Sequence, residues 1–107
     1  MIPVELIRTI IHYSMHFLAP GAIAWKFFQP SWKKAWAIML CAMLIDIDHL
    51  LATPIFDPTR CSIGFHPLHS YFAIFIYIVM IFFKPSRILG IGLLWHIVTD
   101  ALDCIWI

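Results

Sequence analysis

Residues 31–52 read SWKKAWAIMLCAMLIDIDHLLA: Lys33 and Lys34 stand at one end, an unbroken apolar run covers Ala35 to Ile45, and Asp46, Asp48 and His49 close the other end. About 20 apolar residues in a helix match a hydrocarbon layer about 30 Å thick. The stretch is therefore read as one membrane-spanning helix with Ser31 as its N-cap. Working outward, the chain repeats the pattern. An apolar stretch from about 2 to 28 is interrupted by Pro20-Gly21, which predicts a kink or tilt. A third helix opens at Pro67, a first-turn position, and runs to 83, and a fourth covers about 88–106. Gln29-Pro30-Ser31 and Lys84-Pro85-Ser86-Arg87 are turns, and residues 53–65, with Pro54, Asp57, Pro58, Arg60 and Gly64, form a loop. The predicted fold is an all-α polytopic membrane protein. It has four transmembrane helices (about 2–28, 32–52, 67–83 and 88–106) in one compact bundle over 1–107.

Composition points the same way. Of 107 residues, 63% are hydrophobic and 12% charged, against about 45–50% and roughly 25% in a soluble domain. Four spans consume that length, so a second, soluble domain is not expected. A net charge of +1 supplies no basic surface for nucleic acid, which is excluded as a partner. The partners implied are membrane lipids. Gly90 and Gly92 on the fourth helix suggest close approach to a neighbour, hence a homodimer. Met1 to Glu5 has no basic n-region and no small-residue cleavage site, so the first span is read as retained. Trp32, Trp36 and Trp106 near span ends suit an interfacial belt.

Cytoplasmic turns carry an excess of Lys and Arg. Lys26, Lys33, Lys34, Lys84 and Arg87 fall on one side against Arg8 and Arg60 on the other. Both termini and the long loop are accordingly placed on the outer side, the periplasmic face of a bacterial inner membrane. Cys41, Cys61 and Cys104 form no Cys-x-x-Cys pair and are read as packing residues. Cys61 and Cys104 fall near the outer face, where an oxidising compartment would let them pair, but sequence does not give their separation.

The placement of polar groups carries the functional reading. At about 1.5 Å rise per residue, His12, His16, Asp46, Asp48, His49, His66, His69, His96, Asp100 and Asp103 all lie roughly 14–26 Å from the basic turns. Every helix therefore delivers ionisable groups to one layer. Residues three, four or seven apart share a helical face, which aligns His12 with His16, Asp46 with His49, and His96 with Asp100 and Asp103. Asp48 points elsewhere unless the helix unwinds there. Such groups are costly in hydrocarbon, and a metal compensates them. Imidazole with carboxylate suits Zn²⁺ best, then Mn²⁺ or Fe²⁺, and ten candidate ligands exceed the needs of one ion. Two divalent ions bridged by a carboxylate are expected, with Asp48 and His16 the residues most open to an orienting role instead.

At His12 with His16, Asp-x-Asp-His at 46–49, His-Pro-Leu-His-Ser at 66–70 and His-x-x-x-Asp at 96–100, the chain resembles small bacterial membrane proteins of a family of unknown function. More distantly it resembles the YdjM-like membrane-bound metal-dependent hydrolases. The resemblance spans nearly the whole chain and implies His12, Asp46, Asp48, His49, His66, His69, His96 and Asp100 as ligands; His16 and Asp103 come from helical spacing. Pro67-Leu68 replace a more usual Arg-Gly-containing spacer, leaving Arg60 as the basic group near the site.

The chemistry expected is metal-assisted hydrolysis of a lipid-linked or phosphate ester, with Asp46 and Asp48 at the ions and Arg60 holding the phosphate. Ser70 is read as a helix cap. The alternative is a non-catalytic metal protein: a transporter, a sensor or a structural metal site. Haem ligation would account for the histidines but not for the aspartates.

Overall fold

A computed structural model describes residues 3–55 and 60–105. Asp57 and Pro58 of the predicted loop, the first residue of the predicted first span, and Trp106 lie outside the described residues. The described residues are helical apart from the connecting turns and loop, with no strand among them. α1 (Val4–Phe17) and α2 (Ala19–Phe27) form one rod broken at Leu18. α3 (Trp32–Leu40) continues into a 3₁₀ segment, Cys41–Leu51. A 3₁₀ turn, Pro67–His69, precedes α4 (Tyr71–Ile81), and a second, Lys84–Ser86, leads into α5 (Arg87–Ile105). Together these make a compact four-rod bundle.

The break in the first rod falls at the predicted proline, because Pro20 has no N–H to donate. Two indoles serve carbonyls beside the break: Trp95 Nε1 donates to Met15 O at 2.7 Å and Trp36 Nε1 to Phe17 O at 2.8 Å. They tie the kink to α5 and α3. Ser31 occupies the N-cap position of α3 but makes no side-chain cap bond. Ser70 does cap α4, its Oγ accepting from Ala73 N at 3.2 Å.

The predicted second helix changes winding halfway. A 3₁₀ helix has three residues per turn, so its side chains stack in three rows. Exposure follows that period closely: Ala42, Ile45 and Asp48 are buried, Met43, Asp46 and His49 are intermediate, and Leu44, Ile47 and Leu50 are exposed. Asp48 thereby points inward in the row next to Asp46 and His49, which α-helical winding would forbid.

α5 is the axis of the bundle and packs against α1, α3, the 3₁₀ segment Cys41–Leu51 and α4. Its glycines make this possible. A Cβ on Gly92 would lie 2.7 Å from Met39 Cα, and one on Gly90 3.1 Å from Tyr77 O. The close approach that these two glycines suggested is therefore within the bundle, to α3 and α4, because their bare faces are already covered.

The apolar core is small and the apolar surface large. Ala42, Ile45, Ala73, Tyr77, Leu93 and Ile97 form one buried cluster and Ala24, Ala35 and Met39 another. Phe72 and Phe75 on α4 lie outside, 75% and 64% exposed, while Tyr77 on the same helix is buried. Among the described residues, one continuous helix, Lys84–Ile105, is long and apolar enough to cross a membrane, and α4 is apolar but shorter.

Candidate metal centre

The buried histidines and aspartates form one cluster. All six imidazoles follow one another through it. Ring centroids are 4.4 Å apart for His12–His16, 4.3 Å for His16–His96, 5.3 Å for His96–His69, 5.8 Å for His69–His49 and 3.9 Å for His49–His66. α1 contributes His12 and His16, α5 His96 and Asp100, the 3₁₀ segment Asp46, Asp48 and His49, and the turn before α4 His66 and His69. That turn is held from both sides: Tyr77 Oη donates to Leu68 O at 2.8 Å, and Gly64, at φ +80°, donates its N–H to His69 O at 3.0 Å.

Four ligand-type atoms converge at the centre: Asp46 Oδ1, His69 Nε2, His96 Nε2 and Asp100 Oδ2. Their separations are 3.3 Å (Asp46–His69), 3.0 Å (Asp46–His96), 3.0 Å (His69–Asp100), 3.2 Å (His96–Asp100) and 3.3 Å (His69–His96). A tetrahedral ion with ligands at about 2.0 Å has ligand-to-ligand edges of about 3.3 Å. These five separations are close to the edges such an ion needs.

Hydrogen bonding between neutral imidazoles and carboxylates does not account for this packing. Asp48 Oδ2 accepts from Leu68 N at 2.8 Å and lies 2.9 Å from His69 Nδ1. In a neutral imidazole that contact takes the single ring proton, and Nε2 is left as a lone pair facing two carboxylate oxygens and a second imidazole nitrogen. Lone pairs at such distances repel unless positive charge sits between them. The residues present fit a divalent cation.

A second group shares Asp100. Its other oxygen, Oδ1, lies 3.0 Å from His16 Nε2 and 3.6 Å from His12 Nε2, and the two histidine nitrogens are 3.1 Å apart. Asp100 thus presents one oxygen to each group, as a bridging carboxylate does. A third group joins Asp48, His49 and His66. Burial pushes His66 below the ordinary imidazole range, and the neighbouring His49 acts in the same direction.

Of the ten residues singled out by sequence, nine fall into these three groups. Asp103 does not. Arg8 grips it in a fork, Nε to Oδ1 at 2.9 Å and Nη2 to Oδ2 at 3.1 Å, and the carboxylate lies 3.9 Å from His12 Nδ1. One further turn along α5 carries Asp103 past the ligand atoms and level with Arg8, so its role is to lock α1 to α5. The residue types of Arg8 and Asp103 were plain in the sequence, but nothing in it signalled a pairing across 95 positions.

A cleft of about 370 Å³ opens above the cluster. It is bordered by His12, Asp46, His49, His66 and Asp100 below and by Arg8, Tyr13, Arg60 and Ser62 around the mouth. Arg60 is fixed in the wall: its Nη2 donates to Pro54 O and Ile55 O at 3.0 and 3.1 Å, and its guanidinium lies 4.8 Å from the centre of the Phe65 ring. Beside it, Cys61 is joined to Cys104 by a disulfide. The reading of these two cysteines as packing residues is corrected accordingly, since the loop folds back onto the end of α5. Cys41 is free and exposed.

The fold and site define a class: a small helical bundle whose interior is a histidine–aspartate centre able to hold metal. Within that class the chain belongs to a family of unknown function, DUF6122, whose model matches residues 6–107. No curated protein and no solved structure matches the chain.

Proposed function

We propose that this protein is a membrane-embedded metal-dependent hydrolase. Its centre holds two divalent ions, zinc or else manganese or iron, bridged by Asp100, and its substrate is a lipid-linked or phosphate ester. One observation carries the reading: the two oxygens of Asp100 serve two separate groups, and five of the ligand-to-ligand edges in the first have tetrahedral length. Ions held there supply an acidified water and charge stabilisation for an ester oxygen under attack. The chain does the rest. Asp46, the most exposed carboxylate of the central four, fronts the cleft. Asp48 holds His69 in its ligand tautomer, and Arg60 offers a guanidinium to a phosphate. Water adds across the ester P–O bond, giving a phosphate and an alcohol.

The four-span reading is supported by an inside-out distribution, with carboxylates and imidazoles buried and Leu44, Ile47, Leu50 and Phe72 exposed. A 3₁₀ helix also rises faster than an α-helix, so Trp32 to Leu51 reaches about 35 Å. The outer, periplasmic placement of the cleft is supported by the disulfide at its mouth, since disulfides persist in oxidising compartments. Lys26, Lys33, Lys34, Lys84 and Arg87 sit at the far ends of the rods.

Transport is less well served. The crevice beneath His16 and His96, lined by Pro20, Met39, Ala42, Met43, Gly92 and Trp95, is too narrow to admit a water molecule, which gives no support to a path toward the other face. A structural ion remains the second reading, because the ligands come from α1, α5 and the segments before and after the long loop, and an ion would pin them together.

Elemental analysis of detergent-purified protein, wild type beside Asp46→Ala and His96→Ala, tests the proposal. At least two equivalents of metal, reduced in both variants, together with phosphoesterase activity lost in both, support it. Retained metal and activity in either variant overturn it, and bound metal without hydrolysis of any phosphoester leaves the structural reading.

A further inference from the structure

The two-ion centre leaves Asp48 Oδ1, His49 and His66 without a task. We propose that these three residues hold a third divalent cation, on the loop side of His69. The proposal rests on the reading of the adjoining groups as a metal centre, but not on that centre being catalytic.

Asp48 is the first ground. Its side chain is 2% exposed, and while Oδ2 is served by Leu68 N and His69 Nδ1, Oδ1 has no hydrogen-bond partner. His49 Nδ1 lies 3.2 Å from Oδ1, but its hydrogen bond goes to Asp46 O at 3.0 Å. A buried carboxylate oxygen without a donor is costly unless a cation faces it.

The second ground is the pair of rings beside it. His66 is buried and lies face to face with His49, the ring planes 28° apart. One ligand atom from each of Asp48, His49 and His66 lies within 4.8 Å of the other two. Ligands about 2.1 Å from one tetrahedral ion are themselves about 3.4 Å apart, so side-chain adjustments of about 1 Å bring all three onto it.

The ligand count fits as well. Two imidazoles and one carboxylate leave a tetrahedral ion one open position, and His49 and His66 border the cleft. That position therefore faces the same space as Arg60 and the bridged centre. Asp48 becomes the link: Oδ2 orients His69 and Oδ1 meets the third ion, so filling one site strengthens the other. Added positive charge at this wall makes the cleft a receptor for an ester carrying several negative charges.

The test is metal content of the full chain in detergent, loaded by dialysis against zinc alone, for wild type, His66→Ala and His16→Ala. Three equivalents in wild type and two in each variant are expected, one for each of the three groups less the one disrupted. Two equivalents in wild type, unchanged in His66→Ala, overturn the third site and leave the bridged centre standing. No metal in wild type overturns both. If His66→Ala does not yield a folded bundle, cadmium NMR of the wild-type chain decides: three resonances support the third site and two overturn it.

Discussion

Asp48 Oδ2 lies 2.9 Å from His69 Nδ1, across 21 positions of sequence, and this contact fixes which nitrogen His69 turns to the centre. Orienting carboxylates of this kind are worth about 10–100-fold in metal affinity. In a His66→Ala background, which removes the third site from the count, Asp48→Ala is expected to weaken the remaining metal by about that factor without abolishing binding. Competition against a graded chelator measures it, and an unchanged affinity would remove Asp48 from the orienting role.

Asp100 and His16 are expected to differ in kind. On the two-ion reading, Asp100→Ala, which removes the carboxylate shared by the two groups, should cost both ions, whereas His16→Ala should cost only the one beside α1. Metal per chain separates the two outcomes. Equal losses in both variants would argue against a bridge.

Arg60 is held in the cleft wall by two carbonyls and the Phe65 ring. Arg60→Ala should therefore leave metal content unchanged and weaken inhibition by inorganic phosphate about tenfold or more; Arg60→Lys, which lacks the planar fork, should restore little of it. Parallel loss of metal would show that the residue supports the centre and not the ligand.

The disulfide joins positions 43 residues apart and ties the segment next to Arg60 to the end of α5. Maleimide should label only Cys41 until the protein is reduced. The Cys61→Ser chain should lose about 2–4 kcal/mol of stability, visible as a lower unfolding midpoint in detergent.

Gly92 meets Met39 backbone and not a flexible side-chain tip. Gly92→Leu must push α3 from α5, and a loss of about 1–3 kcal/mol is expected from overpacking. Since His96 and Asp100 lie on the same helix, weaker metal binding should accompany the lower unfolding midpoint.

Much of the site was legible because helical spacing is a local property. His12 with His16 and His96 with Asp100 are four apart, and that fixes a shared face wherever the helix goes. Asp103 continues the same stripe, and there the rule misleads: spacing gives direction but not height, and one more turn brings it to Arg8. Asp48 was ambiguous because its direction depends on winding. The clue was present in the exposed row Leu44, Ile47 and Leu50, a period of three that an α-helix does not keep.

The sequence by itself determined that this chain is helical, that its rods are apolar, and that its histidines gather with Asp46, Asp48, Asp100 and Asp103 at one level of the rods. Those properties follow from composition, from the rise per residue and from the periodicity of single segments. Only the tertiary structure decided which oxygen of Asp100 meets which histidine, that Arg8 takes Asp103, and that Cys61 reaches Cys104. Each of these pairs elements far apart in the chain, and their meeting depends on how the rods pack about Gly90 and Gly92, which no local pattern encodes.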